Sequence, residues 1–100
     1  MIVYNVTVKV ELAIHDQWLE WMKQKHIPDV LATGYFVDNK IMRLLEEDNS
    51  DSFTYAIQYR CLDISNYMTY KEICAPGLQK EVTEKFGESF VAFRTLLKEL

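Results

Sequence analysis

Residues 2–11 form the most regular pattern in the sequence, an alternation of two kinds of side chain. One parity, from Ile2 to Val10, is entirely apolar, whereas the other begins with Val3 and continues with four polar residues. Successive side chains of a β-strand point to opposite faces, so this stretch predicts a strand with one dry face. From about Ala13 the period becomes helical, which predicts a helix that packs onto a sheet.

The predicted helix has an apolar face and a defined end. At 100° per residue, its apolar arc holds Ile14, Trp18, Trp21 and Met22, with His26 at the edge. This arc predicts that both indoles pack onto the sheet. Pro28 cannot occupy a helix interior without the loss of a hydrogen bond, so we expect an end or a kink at His26 and Ile27. Gly34 is then expected to adopt the left-handed conformation that ends a short second turn.

The rest of the chain predicts a hairpin, a second helical region and a last strand. Residues 35–47 and 52–61 are rich in aromatic and β-branched residues and flank the polar turn 48–51. Asp63 suits the N-cap of a helix that runs to Cys74, and a second segment with Leu78, Val82 and Phe86 follows the Ala75-Pro76-Gly77 break. Residues 89–100 predict a strand, although their leucine-rich tail also fits a helix.

The order strand, helix, strand, strand, helix, strand is that of a split βαβ, or ferredoxin-like, fold. It predicts one α+β domain over residues 1–100, with a four-stranded antiparallel sheet and both helical regions on one face. The uncovered face would mix apolar with uncharged polar residues, as subunit interfaces do. We therefore expect a homodimer through the open sheet faces, as in dimeric α/β barrels. A monomer with a mildly apolar open face is the alternative.

Composition argues against several partners. The net charge of -4 and the dispersion of the eleven basic residues disfavour nucleic acid. No apolar run approaches the ~18 residues that cross a bilayer, and the N-terminus lacks the features of a signal peptide, so no membrane partner is expected. Cys61 and Cys74 do not form a Cys-x-x-Cys pair and are expected as free, inert thiols in a cytoplasmic protein.

His26 is the best single candidate for a catalytic residue. Its imidazole would titrate near neutrality, and it lies at the edge of the apolar arc, just before the break where a cleft could open. The alternative is a histidine at a helix C-terminus that the macrodipole favours and that packs at the rim of the core. His15 is eleven residues away, which is not a chelating spacing, so we expect no metal and no cofactor.

Two further groups of residues could contact a ligand. Aromatic residues at helical and strand spacing form either a core or the wall of a pocket between helices and sheet: Tyr4, Trp18, Trp21, Met22, Tyr55, Tyr59 and Tyr67. Asn5, Arg43 and Arg94 interrupt otherwise apolar strands. Each suits either the orientation of a ligand or a polar contact across a subunit interface.

Several segments together resemble a small bacterial family known only as a domain of unknown function. The resemblance runs nearly end to end and rests on Tyr4-Asn5-Val6-Thr7-Val8, Trp18-Leu19-Glu20-Trp21-Met22, His26-Ile27-Pro28, Leu31-Ala32-Thr33-Gly34, Arg43-Leu44-Leu45-Glu46, Ala75-Pro76 and Phe86-Gly87 with Phe90-Val91-Ala92-Phe93-Arg94-Thr95. It implies the fold and a dimer, and it implies no activity or substrate.

Two functions of different classes remain open. The first is a non-catalytic domain that binds a small ligand or interacts with another molecule. The second is a cofactor-independent oxygenase or isomerase of the dimeric α/β-barrel type, acting on a small aromatic or polyketide-like molecule. In that enzyme His26 would be the acid or base, and Asn5 or an arginine would orient the substrate. The first is favoured because the second rests on analogy between folds.

Overall fold

A computed structural model describes residues 1–48 and 50–100. The predicted polar turn therefore includes one residue, Asn49, that lies outside the described part. The elements are β1 (Ile2–Glu11), a 3-10 turn (Leu12–Ile14), α1 (His15–Trp21), a π turn (Met22–His26), α2 (Ile27–Ala32), β2 (Asp38–Arg43), β3 (Ser52–Cys61), α3 (Ile64–Ile73), α4 (Ala75–Phe86) and β4 (Phe90–Lys98).

The four strands form one antiparallel sheet in the order β2-β3-β1-β4. In its middle, Val6 of β1 lies opposite Ile57 of β3 and Arg94 of β4. This is the predicted ferredoxin-like α+β fold. Because β1 and β3 are central, β2 and β4 are the two edges of the sheet.

The alternation in β1 decides which side chains enter the core. Tyr4, Val8 and Val10 are buried together with Trp18 and Met22 of the helical layer. Full burial of one apolar side chain of moderate size contributes about 1.5–3 kcal/mol to stability, so this face of β1 is one part of a core to which both layers contribute.

The first helical region continues from Leu12 to Ala32 but changes its pitch at the predicted break. The backbone N–H of Ile27 donates to the carbonyl of Met22, five residues earlier, which defines the π turn. Pro28 lies in the first turn of α2, directly after the π turn, and has no N–H to donate to a carbonyl of the preceding turn. The break is thus a local change of helix type. The prediction for Gly34 is confirmed by its φ of 84°.

The prediction for β2 was too long. It covered residues 35–47, whereas the strand is Asp38–Arg43. Before the strand, Phe36 enters the core. After it, the Glu47 carboxylate accepts hydrogen bonds from the Thr54 backbone N–H at 2.7 Å and from the Thr54 hydroxyl at 2.6 Å. An apolar pattern does not record how far the partner strand extends, so it could not fix these ends.

The face of the sheet opposite the helices has a polar centre and an apolar edge. Asn5 donates to the Thr7 hydroxyl at 3.1 Å and accepts from the Gln58 amide at 3.3 Å. On β4, Val91 and Phe93 are 64% and 61% exposed. The expected mixture of polar and apolar side chains is therefore present on this face.

Within the described residues, no helix is both long and apolar enough for a transmembrane span.

Candidate ligand-binding cleft

A cleft lies between the helical layer and the sheet, on the side of β4. One cavity, of about 210 Å³, is lined by Val6, Val8, Trp18, Met22, His26, Gln79, Val82, Thr83, Phe90, Ala92 and Arg94. A second, of about 240 Å³, is lined by Tyr4, Tyr67, Tyr70, Lys71, Ala75, Pro76, Gln79 and Arg94. A third, of about 30 Å³, shares residues with both. Gln79 and Arg94 line all three cavities, which we together call the cleft.

The register of the sheet explains which β4 side chains reach the cleft. Phe90, Ala92 and Arg94 lie opposite the core-facing residues of β1, so they point toward the helices. Ala92 is small, and it leaves space where a larger residue would contact α4. Because β4 is an edge strand, the long Arg94 side chain reaches the cleft while remaining in contact with water.

His26 is the polar group that the cleft leaves without a partner. Its Nδ1 atom is buried and has no hydrogen bond to any described residue, and its ring stacks on Trp21 at 5.7 Å between centroids. Burial lowers the pKa of His26 from 6.5 to about 4, more than the nearby Glu81 and Asp29 carboxylates raise it. The imidazole is therefore neutral at pH 7.

Arg94 is the cation that all parts of the cleft share. Its Nε donates to the Tyr4 hydroxyl oxygen at 3.2 Å. Among the ion pairs of the described residues, none involves Arg94. Burial raises the pKa of Tyr4, and the positive charge of Arg94 only partly opposes this effect, so Tyr4 stays a neutral phenol. The Nη1 and Nη2 groups of Arg94 are thus available to another molecule.

Most predicted pocket residues meet in the cleft. The structure brings together Tyr4, Trp18, Met22, His26, Tyr59, Tyr67 and Arg94. Tyr70 and Gln79 also line it, although neither was predicted. Their spacing contained a signal, because Tyr70 follows Tyr67 by three residues and Gln79 precedes Val82 by three, on the same helix faces.

Two predicted pocket residues lie outside the cleft. Trp21 packs between the helices, with its ring 5.5 Å from that of Phe86, because three residues after Trp18 the helix has turned about 60° away from the sheet. The packing of Trp21 against Phe86 of α4 was not predicted. Tyr55 lies beside α1, where its hydroxyl is 2.5 Å from Nε2 of His15.

Two of the three predicted polar residues also lie elsewhere. Asn5 is on the opposite face of the sheet, as its parity requires. Arg43 is on the far edge strand, with its guanidinium 4.5 Å from the centre of the Phe53 ring. A separate polar chain runs from Asp16 through Nδ1 of His15, at 2.9 Å, to Tyr55. It joins the start of α1 to β3 and does not line the cleft.

A larger cavity, of about 500 Å³, lies at the end of the sheet. Its lining includes the exposed charged residues Lys9, Glu11, Asp51 and Glu88, whose side chains water solvates. We place the candidate site in the cleft because apolar walls with a few convergent polar groups are typical of ligand sites. In the described part of the chain, no group of three or more His, Cys, Asp or Glu side chains is arranged to hold a metal ion.

The sheet order and the one-sided helices define an α+β protein of the ferredoxin-like fold, with its cleft between the two layers. The chain belongs to the family described as Domain of unknown function (DUF4286), whose model matches residues 1–100. The predicted resemblance to such a family is thereby confirmed. A search of the curated proteins found no match.

Three solved structures are similar to this chain over its whole length. HapK from Hahella chejuensis is 12% identical with a TM-score of 0.72, covering 100% of this chain and 93% of that one. An ethyl tert-butyl ether d (ethd) family protein from Bacillus halodurans c-125 is 14% identical with a TM-score of 0.68, covering 100% of both chains. A de novo designed protein with ferredoxin fold, LFR1 1, is 17% identical with a TM-score of 0.55, covering 100% and 88%. At these identities the likeness concerns the fold.

Proposed function

We propose that this protein binds a small organic molecule in the cleft without transforming it. The observation that supports this proposal is the buried Nδ1 of His26, which no described residue hydrogen-bonds, on the wall of a largely apolar cavity. A buried polar atom without a partner costs about 1–3 kcal/mol, and a ligand group that bonds to it would recover that cost. A cavity of about 210 Å³ is large enough for one ring with substituents, since an engineered cavity of about 150 Å³ holds benzene.

A cofactor-independent enzyme is the second candidate. It is favoured by one observation, that a neutral imidazole able to accept a proton lines the same cavity as Trp18 and Met22. Two others favour binding alone. A histidine with a pKa of about 4 is a weak base at pH 7, and within the described residues no side chain hydrogen-bonds the ring to orient it.

A fragment screen by thermal shift tests the binding proposal, because a ligand of the folded state raises the melting temperature. Ala92→Leu should fill the cavity and abolish the shift that single-ring compounds produce. Ala32→Leu, at an exposed position of α2, is the matched control and should retain it. A shift that survives Ala92→Leu would place the ligand elsewhere. Conversion of a bound compound, lost in His26→Gln, would favour the enzyme.

We further propose that two copies of the chain associate through the open faces of their sheets. A strand of ten residues is ~33 Å long and four strands are ~19 Å wide, so each face measures roughly 600 Å² in projection. This is close to the roughly 800 Å² of accessible surface that each partner contributes to a stable interface. Exposed Val91, Phe93 and Leu97 would be covered by such an association.

Light scattering at micromolar concentration tests the dimer. We expect a mass of about 24 kDa, twice the 11.8 kDa of the chain. Phe93→Lys, on the open face, should yield the monomer because it would bury an unpaired charge. Ile73→Lys makes the same change at an exposed position of the helical layer and should leave the dimer intact. A wild-type mass near that of one chain would exclude the dimer.

A further inference from the structure

The charge of the cleft differs from the charge of the whole protein. The chain has fifteen Asp and Glu residues and a net charge of -4. Of the described residues that line the cleft, none is Asp or Glu, whereas Arg94 and Lys71 bring positive charge to it. The nearest acids lie outside the lining: Asp29 pairs with Lys25, and Glu81 lies 3.6 Å from Lys25 although its buried Oε1 atom has no hydrogen bond to any described residue. A cleft of this kind attracts anions.

Arg94 presents a geometry that suits one class of anion. Its Nε is held by the Tyr4 hydroxyl, so the side chain is anchored at one of its five N–H groups. The remaining N–H groups form a planar fork that matches the two oxygens of a carboxylate.

Most of the other residues that line the 210 Å³ cavity are apolar. Trp18, Met22 and Phe90 supply large apolar surfaces, and Ala92 and Val8 leave a space between them. Besides Arg94, three polar residues line this cavity: Gln79, Thr83 and His26, whose Nδ1 atom has no hydrogen bond to any described residue. A ligand that fills the cavity would therefore carry an apolar body such as a ring, with its negative group at the Arg94 end.

We propose that the ligand is a small carboxylic acid whose carboxylate binds the Arg94 guanidinium and whose flat apolar body lies toward Trp18 and Met22. A hydroxyl or amine on that body would bond to Nδ1 of His26. This inference rests on the proposed binding function and specifies the class of ligand.

NMR titration with benzoate and with its neutral analogue benzamide tests the ligand class. We expect benzoate to shift the resonances of cleft residues and to bind about 10- to 100-fold more tightly than benzamide, the range for a charge-assisted bidentate bond. Arg94→Gln should remove this preference, and Arg94→Lys should retain only part of it because lysine has the charge without the fork. Arg43→Gln removes the same charge from the far edge strand and should change nothing.

The possible failures can be told apart. If benzamide binds as tightly as benzoate, or if Arg94→Gln weakens both probes equally, the carboxylate assignment is overturned while the cleft remains a binding site. If neither probe shifts cleft resonances in the folded wild type, the carboxylate assignment is overturned, and the binding function is overturned as well only if the fragment screen finds no compound whose thermal shift Ala92→Leu abolishes. Far-ultraviolet circular dichroism of each variant establishes that it is folded, which we expect because Arg94 is exposed on an edge strand.

Discussion

Acidification from pH 7 to pH 4 is expected to destabilise the fold through His26. The pKa of this histidine is about 4 in the folded protein and 6.5 when it is free of the fold, because burial disfavours the imidazolium. Between these values the unfolded chain binds more protons than the folded one, so the free energy of unfolding falls as the pH is lowered through that window. At about 1.4 kcal/mol for each pH unit, the loss amounts to roughly 3 kcal/mol and is complete below about pH 4.

The carboxylates whose pKa the fold lowers contribute to the pH dependence mostly below this window. Hydrogen bonds to the Arg60 guanidinium lower the pKa of Asp38, and hydrogen bonds from Ser65 and Asn66 lower that of Asp63. The stabilisation from these carboxylates is lost only as the pH falls below their ordinary value of 3.8. A loss of stability between pH 6.5 and pH 4 therefore reports mainly on His26.

Urea unfolding at several pH values and a fixed protein concentration measures the effect. The fall in unfolding free energy from pH 7 to pH 4 should be roughly 3 kcal/mol smaller in His26→Gln than in the wild type, because glutamine does not titrate. His15→Gln is the control, and its fall in unfolding free energy from pH 7 to pH 4 should still include the contribution of His26. NMR titration of the imidazole protons gives the pKa directly. A His26 that titrates near 6.5, or an equal acid loss in His26→Gln, would refute the burial argument.

Two predictions concern the fold alone, and urea unfolding measures both. Trp18→Ala should lower the free energy of unfolding by about 3–5 kcal/mol because Trp18 is fully buried. Trp21→Ala should lower it less because Trp21 is half-buried, and the reverse order would contradict the assigned core. Gly34→Ala should destabilise the folded protein by about 1–2 kcal/mol because the φ angle of Gly34 is 84°. Gly77→Ala should stabilise it by about 0.4–1 kcal/mol, since Gly77 lies within α4 and has equally open space around it. Effects of the same sign would contradict the backbone explanation.

Much of the fold could be predicted because its signals are local. The parity of β1, the Asp63 cap and the conformation of Gly34 each depend on neighbours within a few residues. Hydrophobic burial then leaves few arrangements for the six elements, and the one observed was expected. The ends of β2 were not predictable, because β2 stops pairing with β3 at Arg43 although β3 itself continues to Ser52, and an apolar pattern does not record where two strands separate.

The candidate site was only partly predictable. Helical periodicity placed Trp18, Met22 and His26 on one arc, and the structure finds them on one wall of the cleft. It also placed Trp21 on that arc, but the contact of this indole with Phe86 depends on how α4 packs, which helical periodicity does not record. Gln79 was not predicted as a cleft residue, because its place in the lining beside Arg94 depends on how α4 packs over the sheet.

The sequence by itself determined the period of each element, the face that each strand buries and the class of fold, since these follow from backbone geometry and apolar spacing. Tertiary structure alone decided where the cleft lies and which polar groups meet in it. Arg94 and Tyr4 are 90 residues apart and are joined by one hydrogen bond. The pairing of β1 with β4 sets contacts of this kind, and it also places the positive charge of Arg94 in the cleft. The acidic composition of the whole chain does not predict this local positive charge.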